Sequence, residues 1–107
     1  MDATEASALH DKIIAEVLRN CYDPEIPVNI YDLGLIYELK VEESGEVHVK
    51  MTLTAPSCPV AGMLVMEVQD KIKQLAGVKD VKVELVWDPP WDISRMSEAA
   101  RLQLGLM

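Results

Sequence analysis

Phenylalanine is absent from the 107 residues, and the aromatics are confined to three tyrosines and two tryptophans. Core volume must then come from valine, leucine, isoleucine and methionine, and the six methionines read as gap fillers rather than metal ligands. Cysteine is scarce too, with Cys21 and Cys58 far apart in sequence, so the paired Cys-x-x-Cys ligands of a structural zinc site cannot be assembled. A small reduced domain has no need of a disulfide, and both cysteines are expected as free thiols. No apolar run approaches the roughly 20 residues that a membrane-spanning helix requires, which excludes a membrane segment. Ten lysines and arginines face eighteen acids, and the resulting net charge of −8 repels phosphate backbones. The strand–helix order is similar to that of certain KH domains, but the Gly-x-x-Gly loop and the positive charge are missing, so nucleic acid is excluded as a partner. The opening Met1-Asp2-Ala3-Thr4-Glu5 carries acid where a secretory signal carries lysine or arginine, and a cytoplasmic location is expected.

What is present is periodic. The length suits one compact domain spanning 1–107, with a core over about residues 8–87 and a C-terminal extension over 88–107. From Thr4 to about Asn20, Leu9, Ile13 and Val17 recur at helical spacing opposite Asp11, Lys12, Glu16 and Arg19. Two prolines in Asp23-Pro24-Glu25-Ile26-Pro27 exclude helix continuation, and a rigid loop is expected to Gly34. Leu35–Glu42 then alternates, with Tyr37, Leu39 and Val41 on one face. After Ser44-Gly45 the alternation resumes, with Val47, Val49, Met51 and Leu53 opposite His48, Lys50, Thr52 and Thr54, which makes an antiparallel hairpin with one apolar face.

Ala61, Leu64, Val65, Val68, Ile72 and Leu75 mark a second helix over Val60–Leu75, stopped by Gly77. Val81, Val83, Leu85 and Trp87 mark a third strand. The fold class is therefore α+β: a two-layer sandwich, helix–strand–strand–helix–strand, with both helices on one face of a small mixed sheet. Asp88-Pro89-Pro90-Trp91-Asp92 ends the sheet, and Ser94 or Ser97 can cap a short last helix through Leu104.

Cys58 is the leading candidate for chemistry. Pro59 suits the first position of a helix, so Cys58 is expected at the N-cap, where unpaired amides lower the thiol pKa from about 8.5 and favour the thiolate that attacks electrophiles and binds metals. The alternative is a buried cysteine acting as a small apolar residue. His10 and His48 both fall on polar faces, and neither has a claim as a base for Cys58. Metal binding or transient adduct formation then suits Cys58 better than a catalytic cycle, and the protein is expected not to be an enzyme. Iron–sulfur clusters usually take four thiolates, so a site offering one or two per chain would be shared across a homodimer or completed by another protein or a small thiol, and binding would be labile. Asp23 and Glu25 are acids fixed between prolines, either solvated or functional. Thr54 and Ser57 could orient an anion or donate to the thiolate, or simply end a strand and start a helix. Cys21 is expected to pack rather than ligate. Trp87 and Trp91, set among prolines, either anchor a partner or bury against the chain's own core.

Three separated segments, Asp23-Pro24-Glu25-Ile26-Pro27, Ile30-Tyr31-Asp32-Leu33-Gly34-Leu35-Ile36 and Thr52-Leu53-Thr54-Ala55-Pro56-Ser57-Cys58-Pro59, resemble the SufT-like and PaaD-like family of small iron–sulfur maturation factors. The tail from Val86 to Trp91, with Met96–Arg101 and Leu104-Gly105, resembles the stand-alone SufT-like members. The resemblance implies an auxiliary role in delivering or installing iron–sulfur clusters, with a transient cluster or iron held at Cys58 as ligand. It implies a pocket of Asp23, Glu25, Thr54 and Ser57 beside it, and assembly proteins and apo client proteins as partners. A metal-free adaptor for clients is the alternative, with a thiol enzyme behind it. Related NifU-type scaffolds use Cys-x-x-Cys, whereas the positions three before and after Cys58 are Ala55 and Ala61.

Overall fold

The computed structural model describes residues 1–23, 26–54 and 61–105. Among these, the elements run α1 (Ala3–Glu16), a 3-10 turn (Leu18–Asn20), β1 (Ile36–Val41), β2 (Glu46–Met51), α2 (Ala61–Lys73), β3 (Asp80–Leu85), a second 3-10 turn (Ile93–Arg95) and α3 (Glu98–Gln103). α1 starts on a capping box: the Asp2 carboxylate accepts from the Glu5 amide at 2.8 Å and the Glu5 carboxylate from the Asp2 amide at 3.3 Å. The helix ends at Glu16, earlier than its apolar period suggests. Asn20 donates through Nδ2 to the carbonyls of Glu16 (3.0 Å) and Ala15 (3.4 Å), satisfying the last turn from a tightened 3-10 segment.

The sheet has three strands in the order β1-β2-β3, with β1 antiparallel and β3 parallel to β2. A hairpin needs only the Gly45 turn, whereas the parallel step from β2 to β3 needs a crossover, and α2 supplies it. Val47, Val49 and Met51 of β2 are buried beneath Leu9 and Ile13 of α1 and Leu64, Val68 and Ile72 of α2, all in one apolar cluster. Each such side chain contributes on the order of 1.5–3 kcal/mol by leaving water. The opposite face is charged. Glu38 lies across from Lys50, with the ion pair at 3.4 Å, and Lys40 lies across from His48. No helix among the described residues is long and apolar enough to cross a membrane.

Two side chains depart from strict alternation. The β1–β2 register shifts between Ile36 and Glu38, a bulge that places Tyr37 opposite no residue of its own. Ile36, Leu39 and Val41 pack on the core, while the Tyr37 hydroxyl donates to the Pro89 carbonyl at 2.7 Å. Thr52, expected outward with His48 and Lys50, is fully buried: it lies just past the end of β2, where its amide donates to the Leu35 carbonyl at 2.8 Å.

Candidate functional site

The loop between the first 3-10 turn and β1 is built around Asp23, which is 6% exposed. Its Oδ1 accepts from the Ile26 amide at 2.9 Å, an Asx-type turn of the kind that short acidic side chains form beside prolines. Its Oδ2 accepts from the Thr54 hydroxyl at 3.3 Å, across 31 positions of sequence. The fold thus brings the proline-bracketed acid to the strand end that leads into the Cys58 segment. Spacing alone places these groups in no relation to one another. Glu25, Ser57 and Cys58, together with the expected N-cap geometry of Cys58 and Pro59, lie outside the described residues.

The loop is held from below by the chain leaving α1. The Ile30 amide donates to the Cys21 carbonyl at 2.8 Å, the Asp23 amide to the Val28 carbonyl at 3.4 Å, and Tyr22 and Asn29 form an isolated bridge. Asn29 and Asp32 close a second turn, Asn29 Nδ2 donating to the Asp32 carboxylate at 2.8 Å and the Asp32 amide to Asn29 Oδ1 at 2.9 Å. Thr52, two residues before Thr54, was not singled out as a site residue. Its Oγ1 is the one buried side-chain polar atom without a hydrogen-bond partner among the described residues. A Thr-x-Thr pair at a strand end was the only signal available, and alternation read it as outward-facing.

Cys21 is fully buried in the apolar cluster, as a packing residue should be. Burial pushes its thiol from an ordinary 9.0 up to about 11, helped by the Glu67 carboxylate to which the thiol donates. Glu67 itself is held below its usual value by a 2.8 Å contact with Lys71. Between pH 9 and about 11 the folded chain keeps this proton while the unfolded chain releases it, so stability falls as pH rises through that window. At about 1.4 kcal/mol per unit, the loss reaches roughly 3 kcal/mol at the top. Urea unfolding at pH 8, 9.5 and 10.5 should show this decline, and Cys21→Ala should flatten it.

Glu42, Glu46 and His48 form the one group of possible metal ligands among the described residues, with ligand atoms within 4.8 Å of one another. It sits on the open sheet face, where Glu42 is already paired with Lys40 at 3.6 Å and His48 is flanked in register by Lys40 and Lys82. Two ammonium groups beside the imidazole oppose a cation there, and the half-exposed His48 ring lies 4.0 Å from the same Glu42 carboxylate.

Trp91 is half-buried against the core, and its Nε1 donates to the Leu33 carbonyl at 2.7 Å, so its polar handle is taken up within the chain. Trp87 is 43% exposed, and Met63 and Met66 on α2 are exposed at 68% and 63%.

Known proteins resemble this chain in sequence and in fold. A family model described as "Iron-sulfur cluster assembly protein" matches residues 11–85. The chain is 51% identical over 94 residues to an Fe-S protein maturation auxiliary factor of Porphyromonas gingivalis, covering 88% of this chain and 90% of that protein. It is 36% identical to the Fe-S protein maturation auxiliary factor SufT of Staphylococcus aureus, over 78% of this chain and 96% of that one. A crystal structure of a domain of unknown function, DUF59, from Bacillus anthracis superposes with a TM-score of 0.86 at 35% identity, covering 99% of this chain and 100% of that one.

Proposed function

Because the chain belongs to the iron–sulfur cluster assembly protein family, matched over residues 11–85, we propose that it is an auxiliary factor in iron–sulfur protein maturation that carries iron or a cluster on Cys58. The supporting observation is the buried Asp23 carboxylate bound to the Thr54 hydroxyl, four residues before Cys58 in sequence. A hard carboxylate and a soft thiolate suit iron between them, and the hydrogen bonds from the Ile26 amide and the Thr54 hydroxyl fix the orientation of the carboxylate at the strand end that leads to Cys58. One thiolate per chain falls short of the usual four, so the remaining ligands come from a client, a small thiol or a second copy, and the cargo is held loosely enough to leave. The protein acts as a carrier rather than an enzyme, its clients being apo-proteins and its suppliers the assembly machinery.

Anaerobic reconstitution with iron and sulfide tests this reading, followed by transfer to an apo-acceptor. Cys58→Ser is expected to lower both cluster absorption and transfer at least about tenfold, the loss of an essential soft ligand. Equal behaviour of wild type and Cys58→Ser would remove the carrier role. The exposed Trp87 supports a second reading, a metal-free adaptor that grips clients through an aromatic anchor. In that case client capture survives Cys58→Ser and is lost in Trp87→Ala.

A further inference from the structure

We infer that the segment after β3 is a strap that positions the Asp23 turn, with Trp91 as its principal positioning residue; this rests on the reading that Asp23 works together with Cys58. The family match ends at Leu85, yet the chain beyond it turns back over the loop that carries Asp23. Four hydrogen bonds tie residues 89–103 to residues 27–37. Tyr37 Oη donates to the Pro89 carbonyl (2.7 Å) and Trp91 Nε1 to the Leu33 carbonyl (2.7 Å). The Ser97 amide donates to the Asp32 carbonyl (2.7 Å) and Gln103 Nε2 to the Pro27 carbonyl (3.3 Å). Apolar burial reinforces them, because Met96 and Ala100 are 5% and 1% exposed and belong to the main core. The Arg95 guanidinium lies 4.5 Å from the centroid of the Tyr37 ring, a cation–π contact that closes the same junction.

The loop needs such a strap. Residues 26–35 hold no helix and no strand; Val28, Ile30, Leu33 and Leu35 anchor their side chains in the core, but the backbone between these anchors lacks a ladder of its own and depends on such cross-links for its order. On its other side the loop is bonded to the chain at Cys21, Tyr22 and Asp23 through the Ile30 amide, the Tyr22–Asn29 bridge and the Val28 carbonyl. Order imposed by the strap at Leu33 and Asp32 is therefore passed through a short run of backbone to the Ile26 amide and the carboxylate that accepts from it.

Trp91→Phe keeps an aromatic ring and removes the donor to Leu33, and Tyr37→Phe removes the Pro89 link from a strand that is otherwise intact. Amide hydrogen exchange and the pH profile of Cys58 alkylation are measured for wild type, both variants, Asp23→Asn, and each variant combined with Asp23→Asn. We expect exchange at Ile26 to rise about tenfold or more in Trp91→Phe with Val49 in β2 unchanged, the pattern of local rather than global opening. The alkylation midpoint is expected to move in the same direction as in Asp23→Asn, by about half a pH unit, with no further movement when the two are combined. Unchanged Ile26 exchange, a parallel rise at Val49, or full additivity with Asp23→Asn overturns the strap. If Trp91→Phe does not fold, Tyr37→Phe decides on the same criteria. An alkylation profile that ignores Asp23→Asn while Ile26 exchange responds to Trp91→Phe removes Asp23 from the site and leaves the strap as a holder of the loop.

Discussion

Gly34→Ala is expected to lower stability by about 2–5 kcal/mol, enough to shift thermal unfolding by roughly 10 °C or more in a chain of this size. Gly34 has φ +81°, where an L-residue pays about 1–2 kcal/mol for its Cβ. A Cβ there would also lie 2.2 Å from the Arg95 carbonyl oxygen and 2.8 Å from the Arg95 carbonyl carbon. Those are backbone atoms of a 3-10 turn pinned between Trp91 and the Ser97–Asp32 hydrogen bond, so they cannot swing aside as a side-chain tip would. Overpacking of this kind adds a further 1–3 kcal/mol or so. Gly62→Ala is the natural control: an added Cβ meets nothing within 4 Å, and replacing a helical glycine should stabilise by up to about 1 kcal/mol. Urea titration of both variants checks the pair. Equal, small effects would mean that the close approach of the strap to Gly34 does not govern stability.

Asp23→Ala should cost about 2–4 kcal/mol, because it deserts the Ile26 amide and the Thr54 hydroxyl in a largely buried setting, at about 1–3 kcal/mol for each orphaned group. Asp23→Asn is different. Its side-chain oxygen can still accept from the Ile26 amide, so stability should fall by only about 1 kcal/mol, while the negative charge that the proposed iron site would use is gone. The expected result is a folded Asp23→Asn protein with impaired iron or cluster acquisition, beside a destabilised Asp23→Ala. Calorimetry and anaerobic reconstitution of the same samples separate the two effects. Full acquisition by Asp23→Asn would confine the residue to shaping its turn.

The sheet faces and both long helices were legible from the sequence because burial on one side of an element writes a period into it: Val47, Val49 and Met51 at two, Leu64, Val68 and Ile72 at four. The order of elements then left little choice about a mixed sheet, since β2 and β3 are joined through a helix. What was not legible depends on contacts between distant segments. The bulge at Tyr37 inserts one residue without disturbing the apolar pattern enough to show, and it redirects a ring that alternation assigned to the core. Thr52 is buried although its parity points outward. The docking of residues 89–103 onto residues 27–37 spans 52 to 76 positions and carries no periodic signature at all. At the site, residue types flagged Asp23 and Thr54 separately and the family resemblance implied a shared pocket, but the hydrogen bond that joins them is visible only in the fold.

The sealed thiol of Cys21 has a chemical corollary. Buried and holding its proton to about pH 11, that sulfur offers oxidants and thiols in solution neither an exposed surface nor a thiolate at neutral pH. Any thiol reagent consumed at Cys21 therefore reports an opening of the core rather than chemistry at its surface.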